Sequence, residues 1–360
     1  MSKWAITALL LFYIFFGSLN IISAANEEEE YQIKLEKRQE YCSSKYTIYI
    51  HDSILMQPLE DLNQNNINSI SQLYCMATFY EQNDKLEEAM QNYKAILDIE
   101  PQFIDILIKV GDFYASSYFN DYDMAVSYYN DALKNIDTYL ANNISFLDPY
   151  LNTFDKIVDI YKDLGLNSDA KRKYDEIINK LVNMLKNPSY VDSTDEITSA
   201  QVKYMLEKAA ISSTNDAIQI YETVLFDIDP ENNEAIKQLA NIYYSLGLLN
   251  ETKSLLEYFP VDNFLLGKVY FDLGEYDKAL VTFNNVLQDI IANQDISANQ
   301  DNSTNQDNST YAEAYYYRGQ IYYIKGSCDK AKDDINKAQS INLEIVDPKW
   351  SNLKCYDPLD

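Results

Sequence analysis

The chain has 360 residues, 47% of them hydrophobic, with 56 Asp and Glu against 29 Lys and Arg, for a net charge of −27. That is enough apolar material for a core, which excludes a disordered chain, and so acidic a surface repels phosphate backbones and anionic lipid, which sets nucleic acid aside as a partner. Gly and Pro number only 8 each while Tyr reaches 32, a balance that suits an all-α protein better than a sandwich of short strands with its many turns.

The N-terminus reads as an export signal. Lys3 supplies the positive start, "WAITALLLFYIFF" at 4–16 the apolar run, and "SAA" at 23–25 the small residues for cleavage after Ala25. An uncleaved anchor helix is the rival, because the uncharged run reaches residue 25; Gly17, Ser18 and Asn20 make its second half too polar. Residues 1–25 are therefore expected to be a signal peptide. The mature protein belongs to the secretory pathway or the exterior (periplasmic or exported in a bacterium), with no stable membrane insertion after cleavage. Residues 26–69 follow as an N-terminal capping segment and linker, with the acidic run "EEEE" at 27–30 and the polar "DLNQNNINS" at 61–69. His51, the single histidine, stands in this segment with no second ligand or nucleophile, and reads as a surface or cap residue rather than a base or metal ligand.

From residue 70 onward one order of residues recurs. In "LLGKVYFDLGEYDKALVTF" it is Gly267, Tyr270, Gly274, Ala279 and Phe283. The same order gives Ala77, Tyr80, Ala89, Tyr93 and a closing Pro101. It returns as Gly111, Tyr114, Ala125 and Tyr129, then as Tyr161, Gly165, Ala170 and Tyr174. Ala240, Tyr243 and Gly247 follow, and last come Gly319, Tyr322, Gly326, Ala331 and Ile335. Small residues at fixed offsets let two helices cross closely; tyrosines between them supply flat apolar area with a wet hydroxyl end; glycine in the turn allows a positive φ.

This pattern resembles the tetratricopeptide repeat, a helix-turn-helix unit of about 34 residues. The resemblance implies a right-handed solenoid with units at 70–103, 104–139, 151–184, 198–231, 233–259, 260–293 and 312–345. The fourth is degenerate, with Lys208 where the first-helix Tyr should be, and the fifth has Thr252 for the usual Ala. The chain then divides into units 1–3 at 70–186, a loop at 187–197 that is a candidate hinge, units 4–7 at 198–345, and a capping tail at 346–360. Inside the last block lies "ANQDISANQDNSTNQDNST" at 292–310, three tandem hexads too polar to order themselves, expected to be a low-complexity flexible loop.

The four cysteines, Cys42, Cys75, Cys328 and Cys355, form no CxxC and have no histidine cluster, so no zinc site is expected. In an oxidising compartment two disulfides are expected. Three connectivities are open; Cys42–Cys75 with Cys328–Cys355 is favoured because each pair lies close in sequence at one end of the array. Asn143, Asn250, Asn302 and Asn308 open Asn-x-Ser/Thr triplets and are glycosylation candidates in a eukaryotic host.

No catalytic or phosphate-binding motif is present, and the repeats leave no room for a separate catalytic domain, so neither an enzyme nor a cofactor is expected. The two glycines of "LLGKVYFDLG" bracket a helix instead of clustering in a phosphate loop. The resemblance implies a concave groove lined by the first helices. In the last three units it would present Lys237, Asn241 and Tyr244; Phe264, Lys268 and Phe271; and Tyr316, Gln320 and Tyr323. Some relatives clamp a C-terminal carboxylate with Lys, Asn and Arg across three units; Lys237 and Asn241 match the first pair, but Leu265, Glu313 and Tyr317 stand at the later positions, so that clamp is incomplete. The implied function is a non-catalytic scaffold binding a protein or peptide, by a peptide or helix in the groove. A lumenal chaperone-like or assembly factor, holding unfolded clients on the same aromatic face, is the alternative.

Overall fold

The computed structural model describes residues 64–297 and 305–350. The signal peptide, most of the capping segment with Cys42 and His51, and Asn302 and Cys355 lie outside the described residues. What is described is all helical, with fourteen α-helices among the described residues. In chain order they are α1 (Gln64–Gln82), α2 (Leu86–Ile99), α3 (Ile104–Ala115), α4 (Tyr122–Leu140), α5 (Leu147–Asp163), α6 (Asn167–Leu185), α7 (Thr194–Ala210), α8 (Thr214–Thr223), α9 (Asn233–Ser245), α10 (Leu249–Tyr258), α11 (Asn263–Asp272), α12 (Tyr276–Ser297), α13 (Asn305–Ile324) and α14 (Cys328–Ile341). Taken in consecutive pairs, they form seven successive hairpins among the described residues.

The turns explain the hairpins. Gly165, Gly247, Gly274 and Gly326 all have φ between +70° and +76°, the left-handed turn that the repeated glycine anticipates. In the first two hairpins Asp84 (φ +56°) and Asn120 (φ +49°) take that place, the two residue types whose short polar side chains best tolerate it. Pro101 and Pro260 follow the ends of α2 and α10 by two residues, Pro230 follows the π-helical turn Val224–Ile228 that extends α8, and new first helices start on side-chain caps: Asn232 accepts from the Ala235 amide and Asp262 from the Leu265 amide.

The chain divides into two compact units, Met1–Ala170 and Lys171–Asp360, a boundary inside α6 and not at the 187–197 loop. In the first unit Ile70, Ala77, Tyr93 and Ile96 of the first hairpin pack with Phe103, Val110 and Phe113 around the start of the second, with the Tyr93 and Phe113 rings 5.7 Å apart. In the second unit one cluster joins Met205, Tyr221 and Val224 to Ile236 and Leu239, and a second joins Leu256, Leu266 and Phe283 to Ile321. Within each unit a ring or aliphatic side chain from one hairpin thus covers the next, because a single hairpin cannot bury its own face.

The small residues sit where the spacing puts them: Ala77, Ala89, Ala125, Ala170, Ala240, Ala279 and Ala331 are all fully buried. Thr252 is buried too, and its hydroxyl donates to the Leu248 carbonyl at 2.8 Å, so a polar residue at an alanine position satisfies itself within its own helix. At the other irregular position Lys208 pairs with Asp175 at 2.6 Å, and Tyr204, one turn earlier, supplies the buried ring, tilted against Tyr174 at 6.2 Å.

Three boundaries differ from expectation. Helix α1 begins at Gln64, inside the presumed linker; a packed helix extends into polar sequence because each added residue gains a hydrogen bond once the nucleus exists. The 187–197 loop is a 3₁₀ turn at Pro188–Ser193 that runs straight into α7. Helices also enter the hexad insert from both sides, α12 to Ser297 and α13 from Asn305.

Candidate partner-binding groove

The nine groove candidates sit on three first helices at an i, i+4, i+7 spacing, so each trio occupies one helix face. On α9, Lys237 is exposed, the exposed Asn241 spends its amide on the Lys237 carbonyl at 2.9 Å, and the Tyr244 hydroxyl donates to Asp272 Oδ2 at 2.7 Å. Burial, then that bond to a carboxylate, holds the Tyr244 phenol well above its ordinary range. On α11, Phe264, Lys268 and Phe271 are all half-buried.

Two of these faces meet at Lys268. Its ammonium lies 5.3 Å from the Tyr244 ring, 5.6 Å from Phe264 and 5.9 Å from Tyr317, so α9, α11 and α13 each supply one ring. Behind it the aromatic residues form a continuous chain: Phe264 is edge-on to Phe283 at 6.0 Å, Phe283 stacks on Tyr317 at 5.5 Å and 8°, and Tyr317 is edge-on to Phe271 at 5.2 Å. The candidate groove rings are therefore partly structural: Phe271 and Tyr317 meet across adjacent hairpins, Tyr244 bonds to Asp272 of the next hairpin, and Phe264 packs on the second helix of its own. Tyr317 is the member that the groove reading missed. The sequence signal for it is its place, where clamp-bearing relatives hold a cation. Burial, with the charges of Asp272 and Glu313 nearby, pushes its phenol up to about 12.

Tyr316 and Tyr323 on α13 have a different neighbour. Val346 of the tail is 5% exposed and packs with Ile335 and Ala338, with Tyr316 and Trp350 against them. Trp350 stands edge-on to Tyr323 at 5.3 Å. The chain's own tail thus covers part of that face, while Tyr323 remains 42% exposed. Gln320 is half-buried between them. Lys237 lines a separate cavity of about 690 Å³ with Glu231, Glu234, Tyr258, Phe259 and Val261.

Among the described cysteines neither is free: Cys75, 3% exposed, and Cys328 are both engaged. Asn143 caps a 3₁₀ turn between α4 and α5 through its carbonyl oxygen, and it and Asn250 in the first turn of α10 are both exposed. Asn308 falls in the first turn of α13. Among the described residues no group of three or more His, Cys, Asp and Glu could hold a metal ion, and no helix is long and apolar enough to cross a membrane.

Residues 73–103, 263–288 and 312–344 match the family model of the tetratricopeptide repeat. The chain carries this repeat in those three places. They are the first, sixth and seventh hairpins, and the last two hold the candidate residues Phe264, Lys268 and Tyr316 as well as Tyr317. A tetratricopeptide repeat protein from Parabacteroides merdae resembles this chain at 18% identity and a TM-score of 0.33, over 76% of this chain and 93% of its own. The C-terminal part of a repeat-containing protein from Cytophaga hutchinsonii does so at 14% and 0.46, over 76% and 96%. None of these likenesses bears on what the groove binds. Comparison with curated proteins gives no match.

Proposed function

We propose that this protein is a non-catalytic interaction scaffold that binds a peptide or helix of a partner protein along the first helices of its last three hairpins, in the secretory pathway or beyond it. The observation that carries this reading is the convergence of half-exposed rings from α9, α11 and α13 on one point. Rings that pack on one side and stay open on the other are the usual anchors of peptide grooves. The compartment rests on the N-terminal signal, and disulfides Cys42–Cys75 and Cys328–Cys355 belong to the same proposal.

The test is quantitative recovery of partners from the exported fraction. Wild type is compared with an Asn241→Arg/Gln320→Arg variant, whose helicity is checked by circular dichroism. Those substitutions add bulk to the groove face without excavating the ring packing. A protein retained by wild type and lost by the variant supports the reading. Equal recovery by both overturns it, and broad retention of denatured proteins by wild type replaces it with a chaperone-like holder.

A further inference from the structure

The contents of the ring cradle say what a partner would put there. Lys268 is half-buried, and its ammonium faces the rings of Tyr244, Phe264 and Tyr317 with neither an ion pair nor a hydrogen bond to an acceptor. Four lysines of the second unit are paired with anions, Lys208 with Asp175, Lys253 with Glu275, Lys278 with Glu257 and Glu275, and Lys325 with Asp277; Lys268 instead faces three rings. The carboxylates around the cradle are not Lys268's partners. Asp272 accepts from the Tyr244 hydroxyl through Oδ2, and Asp272 and Glu313 both act electrostatically on Tyr244 and Tyr317. The site is thus three rings and the Asp272 carboxylate bonded to one of them, filled by a flexible side chain that uses only the rings.

We propose that this cradle is a cation-recognition site, and that an arginine or lysine of a basic partner peptide takes the place of Lys268 when that side chain swings out to solvent. The proposal rests on the groove reading above and names the partner's chemistry. An ammonium on a four-carbon stem regains full hydration on leaving, so its exit is cheap. An incoming guanidinium is planar and weakly hydrated. It can stack on the rings that Lys268 only faces, and it can also donate to Asp272, which Lys268 does not. A net charge of −27 draws such a peptide toward the surface. Lys268 then acts as a resident competitor that sets the affinity threshold.

The test uses the purified full chain and three blocked model peptides of one sequence, Leu-X-Ala-Leu-X-Ala, with X as Arg, Glu or Gln, titrated calorimetrically at low salt. The Arg peptide is expected to bind, with affinity falling as salt rises. Lys268→Ala, which empties the cradle, should tighten it roughly 2- to 5-fold. Asp272→Asn should weaken it. Tighter binding of the Glu peptide, lost in Lys268→Ala, overturns the proposal and makes Lys268 an anion anchor. Equal binding of Arg and Gln peptides with no response to Lys268→Ala also overturns it while leaving the groove standing. Absence of binding by all three peptides removes both.

Discussion

Gly267 and Gly274 stand seven residues apart and are required for opposite reasons. A Cβ on Gly267 would sit 2.8 Å from Cε1 of Phe283, a fully buried ring held against Tyr317. A Cβ on Gly274 would meet nothing within 4 Å, but its φ is +73°. Gly267→Ala should therefore destabilise by overpacking, about 1–3 kcal/mol less roughly 1 kcal/mol recovered in helix propensity. Gly274→Ala should cost about 1–2 kcal/mol through backbone strain alone. The two mechanisms separate with size in urea unfolding. Gly267→Val should be clearly worse than Gly267→Ala, whereas Gly274→Ser should match Gly274→Ala. A Gly267→Val variant as stable as wild type would mean that Phe283 can move, and the crossing would not be tight. Both glycines were legible in the sequence, because a turn and a close crossing leave fixed offsets. Tyr317 was not, because its importance comes from stacking on a ring thirty-four positions away.

Three helices of the second unit are tied by one side chain. Arg318 on α13 forks onto Asp334 of α14, with Nε and Nη2 each 2.7 Å from a carboxylate oxygen, and Nη1 donates to Asn284 of α12 at 2.8 Å. The side chains are 19% and 8% exposed, and the guanidinium also lies over the Tyr315 and Tyr322 rings. A buried pair adds little over a good apolar replacement, but losing one partner strands the other. Asp334→Ala should thus cost about 3–5 kcal/mol, and Arg318→Met/Asp334→Leu distinctly less. Thermal melting compares the two, and hydrogen exchange should speed up first in α13 and α14. A double variant worse than the single one would show that the pair itself stabilises the hairpin. Nothing in the repeat pattern announced this tie. Periodicity reports which faces are apolar and is silent on which charged residue lies opposite which. The element ends were misjudged for a related reason. "DLNQNNINS" and the hexads are polar enough to read as loop, and only the packed helix next to them explains why helix continues into Gln64–Ser69 and as far as Ser297.

At the scale of the molecule, the all-helical fold and the alanines buried among the described residues could be read from one sequence, because each repeat restates the same packing problem. A capping tail at 346–360 was expected, but the ring it meets could not be read, since Trp350 reaches Tyr323 only in the folded chain. The tyrosines so used carry a common liability. Tyr243, Tyr270, Tyr315 and Tyr317 are all pushed up to about 12, chiefly by burial, with bonds to Glu222 and Glu257 adding to the effect for the first two. A phenol raised in the fold above its unfolded value of about 10 favours the folded state fully below pH 10 and loses that contribution as pH climbs toward 12. Each phenolate formed also adds negative charge to a chain already at −27. Helix content should therefore fall cooperatively between about pH 10 and pH 12, with the late fraction of phenolate absorbance appearing in step with that loss, and added salt should shift the transition to higher pH by screening the repulsion. Complete phenolate formation near pH 10 with the helices intact would mean that these hydroxyls are open to water, and the packing role assigned to the tyrosines would fail with it.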